Sequence, residues 1–430
     1  MEHRKIVVAW KEFEVPRLLH RNIHVDLDVD FITTITGPRR SGKTYLCFEL
    51  INGLLSKGIP KENILYINFE DNKLLDATSD DLDKILENYI EMYEPNKKKK
   101  VYLFFDEIQV VKDWDAWARK ISDMRKEIKL VLTGSSSKLL SKEISTKLRG
   151  RVINNEVFPL SFREFLEWSK ISYNPKTISH SKDKAAVKKA FAHYLADGGY
   201  PAILINKNIS REQILQGYYD SMIFKDIIER YKIEDVKKLK SIAQLLFQSV
   251  SSEISYNKLA EKLKSAGFSI SKNTIIEFVS YFEDAYLFFQ NIKYEYSIAK
   301  QLGSIKKLYC IDNGLLNSVS FKFSEDKGKL LENLVYVELK RRGETVYLHR
   351  AKYECDFIIV IKNRVSQAIQ VVKELDETTE EREMQGLLEA LKEHNLYEGM
   401  ILTEYQEGER IVEGRKIIIR PIWQWLISAE

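Results

Sequence analysis

Short unbroken runs of β-branched and apolar residues alternate along the first third of the chain with longer stretches of helical spacing. Phe31–Thr36 (FITTIT), Ile64–Phe69 (ILYINF), Val101–Phe105 (VYLFF) and Lys129–Leu132 (KLVL) read as buried strands. Between them, Thr44–Leu55 and Leu82–Met92 carry a helical pattern. A short helix and an extended lead-in are expected over residues 1–30. Strands alternating with helices predict an α/β fold with a parallel sheet covered by helices.

After Phe158 the texture turns mostly helical to about residue 235, with a turn at Gly198-Gly199-Tyr200-Pro201. Residues 236–320 hold three short helical patterns, then apolar alternation near Leu287–Ile292 and Leu308–Ile311. From Gly328 a helix leads into strands near Val346, Phe357–Ile361 and Ala368–Val372. A helix at about 379–394 and a strand at Met400–Thr403 follow.

A length of 430 residues exceeds what one core usually serves, so several domains are expected. Apolar residues at 44% and charged residues at 30% exclude a disordered chain. A net charge of +4 excludes a strongly basic protein, so any nucleic-acid surface must be local. The cysteines Cys47, Cys310 and Cys355 are far apart and form no CxxC pair or Cys/His cluster, which argues against a zinc site or a disulfide framework. With no signal-peptide pattern at the N-terminus and no apolar run of spanning length, a cytoplasmic protein without membrane attachment is expected.

Gly37-Pro38-Arg39-Arg40-Ser41-Gly42-Lys43-Thr44 matches G-x-x-x-x-G-K-[ST] and lies between a strand and a helix, the context this phosphate loop needs. The glycines let the backbone curl so that its N–H groups face phosphates, and the helix N-terminus adds positive partial charge. Lys43 then reaches the β- and γ-phosphates, and the Thr44 hydroxyl binds Mg²⁺. Tyr45 completes the nucleotide-binding segment. Asp106-Glu107, directly after a buried strand, supplies the other half. Asp106 is expected to hold Mg²⁺, and Glu107 to orient and deprotonate the attacking water. The cofactors are therefore ATP and Mg²⁺.

Leu132-Thr133-Gly134-Ser135-Ser136 ends the fourth strand, where Ser135 or Ser136 can place a hydroxyl at the γ-phosphate or the attacking water, or cap the next helix. In Leu148-Arg149-Gly150-Arg151, either arginine can stabilise a transferring phosphoryl group. Two roles are open to Arg149 and Arg151, one at their own site and one in a neighbouring subunit; a surface salt bridge is the third reading.

The strings GPRRSGKT, FFDEIQ with Trp114 and Trp117, LTGSSSKLL, LRGR and FPLSF, with GGYP, KDIIERY, LYCIDNGL and LLENLVYVELKRRG further on, resemble archaeal and bacterial AAA+ ATPases paired with a C-terminal domain of unknown function. The likeness runs over nearly the whole chain. It implies an AAA+ core (1–155), a helical lid (156–235), a winged-helix module (236–325) and a restriction-endonuclease-like α/β domain (326–430).

The residues bear on the last two modules directly. Ser255–Lys264, a turn at Gly267 and Lys272–Asp284 fit a helix-turn-helix, and Lys258, Lys262, Lys264, Lys272 and Lys293 offer a local basic surface for DNA. A packing module with solvated lysines is the alternative. In the C-terminal domain, Glu332 and Asp356 fall where nuclease acids belong, but Gln370 stands at the second acid and Val372 at the lysine. Lys373 is expected on the other face of the strand. A nuclease-like fold without cleavage follows, and the acidic turn Glu377–Glu383 is expected to be solvated.

The expected activity is Mg-ATP hydrolysis coupled to DNA binding or remodelling, in a chain able to form a homo-oligomer. The alternatives are a nucleotide-controlled switch that binds a protein partner, and an ATP-coupled nuclease.

Overall fold

The computed structural model describes residues 3–16, 19–74, 76–137, 148, 150–178, 181–206, 208–320 and 326–428. They fall into two compact units: Met1–Phe158 with Asp284–Tyr286, and Pro159–Glu283 with Leu287–Glu430.

The first unit is built on five strands: β1 (Ile32–Thr36), β2 (Ile64–Asn68), β3 (Val101–Asp106), β4 (Ile128–Gly134) and β5 (Val152–Glu156). Their order is β2-β3-β4-β1-β5, and every pairing is parallel. β1, β3 and β4 are buried along their whole length, which is why their sequences are continuous apolar or β-branched runs without alternation. Helices α1 (His3–Glu12), α2 (Lys43–Ser56), α3 (Ser79–Tyr93) and α4 (Trp114–Met124) accompany the sheet. A capping box between Thr78 and Asp81 starts α3. The Trp10 indole of α1 donates to the Ile64 carbonyl at 2.5 Å and so ties the N-terminal helix to β2.

β5 is absent from the expectations above, and its polarity explains why. It is an edge strand, and Asn154 in its middle accepts hydrogen bonds from Thr34 (2.9 Å) and Thr36 (3.0 Å) of β1. These contacts add to its backbone ladder with β1, and most of its partly buried positions carry polar residues, so no apolar run marks it.

The second unit opens with helices α5 (Phe162–Trp168), α6 (Lys184–Asp197), α7 (Pro201–Ile205) and α8 (Arg211–Ser221), the last continuing as a π-helix over Met222–Glu229. Next come α9 (Val236–Phe247), β6 (Ser252–Glu253), α10 (Tyr256–Ser265), α11 (Lys272–Asp284), β7 (Phe288–Ile292), α12 (Ile298–Leu302) and β8 (Lys306–Cys310). The three strands form an antiparallel sheet in the order β6-β8-β7. Helix α13 (Asn313–Val319) starts at Asp312, which accepts from the Leu315 amide (3.0 Å) and the Gly199 amide (2.7 Å).

Helix α14 (Lys327–Arg341) leads into β9 (Thr345–Arg350), β10 (Glu354–Ile361) and β11 (Arg364–Val371), then α15 (Glu380–Glu393), β12 (Glu398–Thr403), β13 (Gly408–Val412), β14 (Arg415–Pro421) and α16 (Ile422–Ile427). The six-stranded sheet runs β13-β14-β12-β11-β10-β9; β11, β12 and β14 are mutually parallel and the outer pairs antiparallel. The hairpin of β13 and β14 and the final helix extend what the hydrophobic pattern predicted. No helix among the described residues is long and apolar enough to cross a membrane.

Candidate active site

In a parallel sheet the C-terminal strand ends lie along one edge, and here Thr36 is level with Gly134, and Asn68 with Asp106. The phosphate loop after β1, the Asp106-Glu107 pair at β3 and Ser135 after β4 therefore meet at that edge. The loop depends on its glycines. A Cβ on Gly37 would lie 2.1 Å from the Val157 carbonyl oxygen, and Gly42 takes a φ of 103° to open α2.

Lys43 is buried, with its Nζ 3.1 Å from the Gly37 carbonyl, 3.2 Å from that of Pro38 and 3.4 Å from Glu107 Oε1. The Thr44 hydroxyl donates to Asp106 Oδ2 at 2.6 Å. Tyr66 donates to the same oxygen at 2.8 Å, and Thr133 donates to Oδ1. Burial and then the Glu107 charge raise the Asp106 carboxyl above its ordinary value, against the donations from Thr133, Thr44 and Tyr66.

Glu107 is arranged differently. Gln109 donates to its Oε2 at 2.5 Å, and the Ser135 amide lies 3.2 Å from that oxygen. Burial works to raise this carboxyl, but the Lys43 ammonium and the Gln109 amide outweigh it and hold it below the ordinary value. Two adjacent carboxyls are thus pushed in opposite directions, the pattern expected of groups with separate tasks.

Other predicted residues are placed as follows. Ser41 and Pro38 are buried in the loop, Arg39 pairs with Glu70 at 2.8 Å, and Arg40 and Tyr45 are exposed. Arg149 lies outside the described residues. Arg151 precedes β5, level with the start of β1, at the sheet edge opposite the phosphate loop; its Nε is 2.6 Å from Asp123. A strand of five residues, about 17 Å, separates it from the loop, so its own phosphate site is out of its reach.

Four contributors were not picked out from sequence. Tyr66, Thr133 and Gln109 act through hydroxyl and amide contacts that no spacing motif encodes. Arg21, in the extended lead-in, donates to the Ser41 carbonyl (2.7 Å) and the Phe158 carbonyl (2.9 Å), bracing the loop from behind.

The residues present fit a nucleotide with Mg²⁺. The Ser41 hydroxyl is buried without a hydrogen-bond partner, Gly37 tolerates no side chain, and Thr44 with Asp106 offers two hard oxygen ligands.

Residues 30–166 match the family described as AAA domain, and residues 188–326 match a domain of unknown function, DUF8612. The uncharacterized protein MJ1544 of Methanocaldococcus jannaschii is 38% identical over 96% of this chain and 92% of its own length. The chain belongs to the MJ1544 family. An uncharacterized protein of Haemophilus influenzae is 30% identical over 93% of this chain and 95% of its own length. Among solved structures, the Walker-type ATPase of Pyrococcus abyssi is similar at 13% identity and a TM-score of 0.42, covering 74% of this chain and 94% of that one. In this MJ1544-family chain, the segment that matches the AAA domain contains Gly37–Thr44, Asp106, Glu107 and Ser135.

The second unit holds another charged cluster. The Lys307 ammonium of β8 lies 2.8 Å from Glu332, 2.7 Å from Glu354 and 3.0 Å from Asp356, on the floor of a cleft of about 650 Å³. Burial opposes the charge on Lys307, but Glu332 and Asp356 outweigh it and raise its pKa well above the ordinary value. Glu332 is pushed up to about 7 by burial, with Lys307 opposing. Gln370, Val371, Val372 and Lys373 all border this cleft. One expectation is corrected here. Glu383 is buried rather than solvated, since the Gln370 amide donates to it at 2.5 Å.

Proposed function

We propose that this chain is a Mg²⁺-dependent ATPase that hydrolyses ATP to ADP and phosphate at the phosphate loop. The observation that carries the proposal is the meeting of Thr44 and Asp106 at 2.6 Å beside Lys43 and Glu107 at 3.4 Å. Two motifs more than 60 residues apart thereby form one site. Bound Mg²⁺ supplies charge neutralisation at the phosphates. Lys43 stabilises the negative phosphate oxygens, and its buried position keeps that charge strong. Glu107, ionised at neutral pH, accepts the proton of the attacking water. Gln109 and the Ser135 amide fix the carboxylate's orientation.

Coupling to DNA is the reading we favour for the second unit. Helix α9, β6, α10, α11, β7 and β8 follow the order of a winged helix, and Lys258, Lys262, Lys264, Lys272 and Asn273 are exposed on it. The fold of α14 through β12 is compatible with a nuclease-like domain in which the Lys307 ammonium occupies the carboxylates, which supports binding without cleavage.

The test is steady-state ATP hydrolysis with Mg²⁺, with and without duplex and single-stranded DNA, at two salt concentrations, with Glu107→Gln as control. Hydrolysis abolished in the variant supports the site; hydrolysis at the wild-type rate in the variant overturns it. Stimulation by DNA that fades with salt supports coupling. Turnover indifferent to DNA leaves the nucleotide-controlled switch with a protein partner as the better reading.

A further inference from the structure

The C-terminal sheet carries a second constellation, remote in chemistry from the nucleotide site. His349 of β9 is only 3% exposed, and its Nε2 is shielded from solvent without a hydrogen-bond partner. Its Nδ1 is 3.9 Å from Glu393 Oε2, and its Nε2 is 3.6 Å from Glu389 Oε2. His394, directly after α15, has both ring nitrogens shielded from solvent and likewise unpartnered. The two imidazoles stand edge to face with centroids 5.7 Å apart, and the Tyr294 ring packs edge-on against His394. One ligand atom from each of His349, Glu393 and His394 falls within 4.8 Å of the other two.

Imidazole nitrogens buried without hydrogen-bond partners are costly to a fold. A fold that concentrates such groups on one carboxylate has a use for their lone pairs. We propose that His349, Glu393 and His394 bind one divalent first-row transition ion of the zinc class.

Two nitrogens and one oxygen are the donors such an ion prefers, and they disfavour Mg²⁺ and Ca²⁺, which take oxygen. A tetrahedral zinc site holds its ligand atoms about 3.4 Å apart, from metal–ligand distances of about 2.0–2.1 Å. The present spread therefore closes by side-chain rotation, and Glu393 is exposed and free to turn.

Glu389 fits the outer position. A metal-bound histidine commonly donates its second N–H to a carboxylate that sets the tautomer. Glu389 faces His349 Nε2, and is itself oriented by the backbone amides of Lys352 (3.2 Å) and Tyr353 (2.8 Å). With three protein ligands, a fourth position stays open to water. The ion would tie the last turn of α15 to β9.

The experiment uses the full chain, stripped with a chelator and then titrated with Zn²⁺, and separately with Co²⁺, in excess Mg²⁺. One Zn²⁺ per chain and visible Co²⁺ absorption bands are expected. His394→Ala and Glu393→Gln, both outside the buried core, should weaken binding at least about 100-fold, and Glu389→Gln about 10–100-fold. Melting curves of the metal-free variants matching wild type show that the fold is kept. No stoichiometric Zn²⁺ in the wild type, or the same affinity in His394→Ala and Glu393→Gln, overturns the proposal.

Discussion

Lys43 Nζ stands 3.4 Å from Glu107 Oε1, which pairs the lysine we propose to serve the phosphates with the carboxylate we propose to serve the water. A bound γ-phosphate competes with Glu107 for the same ammonium. Glu107→Gln removes that competition and the like charge near the phosphates. The variant should bind ATP at least as tightly as wild type while hydrolysis falls about 10²–10⁴-fold. Lys43→Ala should lose nucleotide affinity instead. Equilibrium binding of a fluorescent ATP analogue beside single-turnover hydrolysis separates the two, and weaker binding in Glu107→Gln would contradict the competition.

Arg21 braces the phosphate loop through two buried carbonyls, Ser41 and Phe158. Arg21→Ala leaves both short of a donor, at roughly 1–3 kcal/mol each. The expected outcome is a lower melting temperature and a smaller upward shift on adding Mg-ATP. An unchanged nucleotide-induced shift would mean the brace does not shape the loop.

Lys307 neutralises Glu332, Glu354 and Asp356 in a buried cluster. Lys307→Met strands three carboxylates, and breaking a buried pair costs about 3–5 kcal/mol. Stability should fall by that order, and Mn²⁺ should recover part of it in the variant and none in wild type, because the freed oxygens suit a hard cation. Melting curves with and without Mn²⁺ decide this. A variant as stable as wild type would show that the ammonium does not hold the cluster.

Asp312 is buried, and burial raises its carboxyl from 3.8 to about 6, against the donations from Gly199 and Leu315. The folded value lies above the unfolded one, so its contribution is complete below about pH 4 and is lost as pH rises through 6. Between pH 4 and 7 that loss is roughly 3 kcal/mol. Asp312→Asn is expected to melt lower at acid pH, since one acceptor oxygen becomes a donor, but with a flatter pH profile over this window. Parallel profiles for the two proteins would remove Asp312 as the cause.

The candidate nucleotide site was largely legible in the sequence because the motifs that mark it are local. A phosphate loop needs Gly37, Gly42, Lys43 and Thr44 at set intervals, and a buried strand ending in Asp106-Glu107 announces itself by a run of apolar residues. The sheet core was legible for the same reason: β1, β3 and β4 are buried on both faces. Polar edges were not. β5 pairs with β1 through its backbone but carries polar residues such as Asn154 and leaves no apolar run, and Tyr66, Thr133, Gln109 and Arg21 reach the site only after the strands align.

The sequence by itself determined the phosphate loop, its acidic partner strand and the alternation of strands and helices, since each is written in consecutive residues. Tertiary structure alone decided the pairing of Lys307 with three distant carboxylates, the burial of Glu383 and the approach of His349 to His394. Those relationships join residues between 13 and 49 positions apart. Their energies come from desolvation and charge, which depend on what surrounds a side chain and not on its neighbours in the chain.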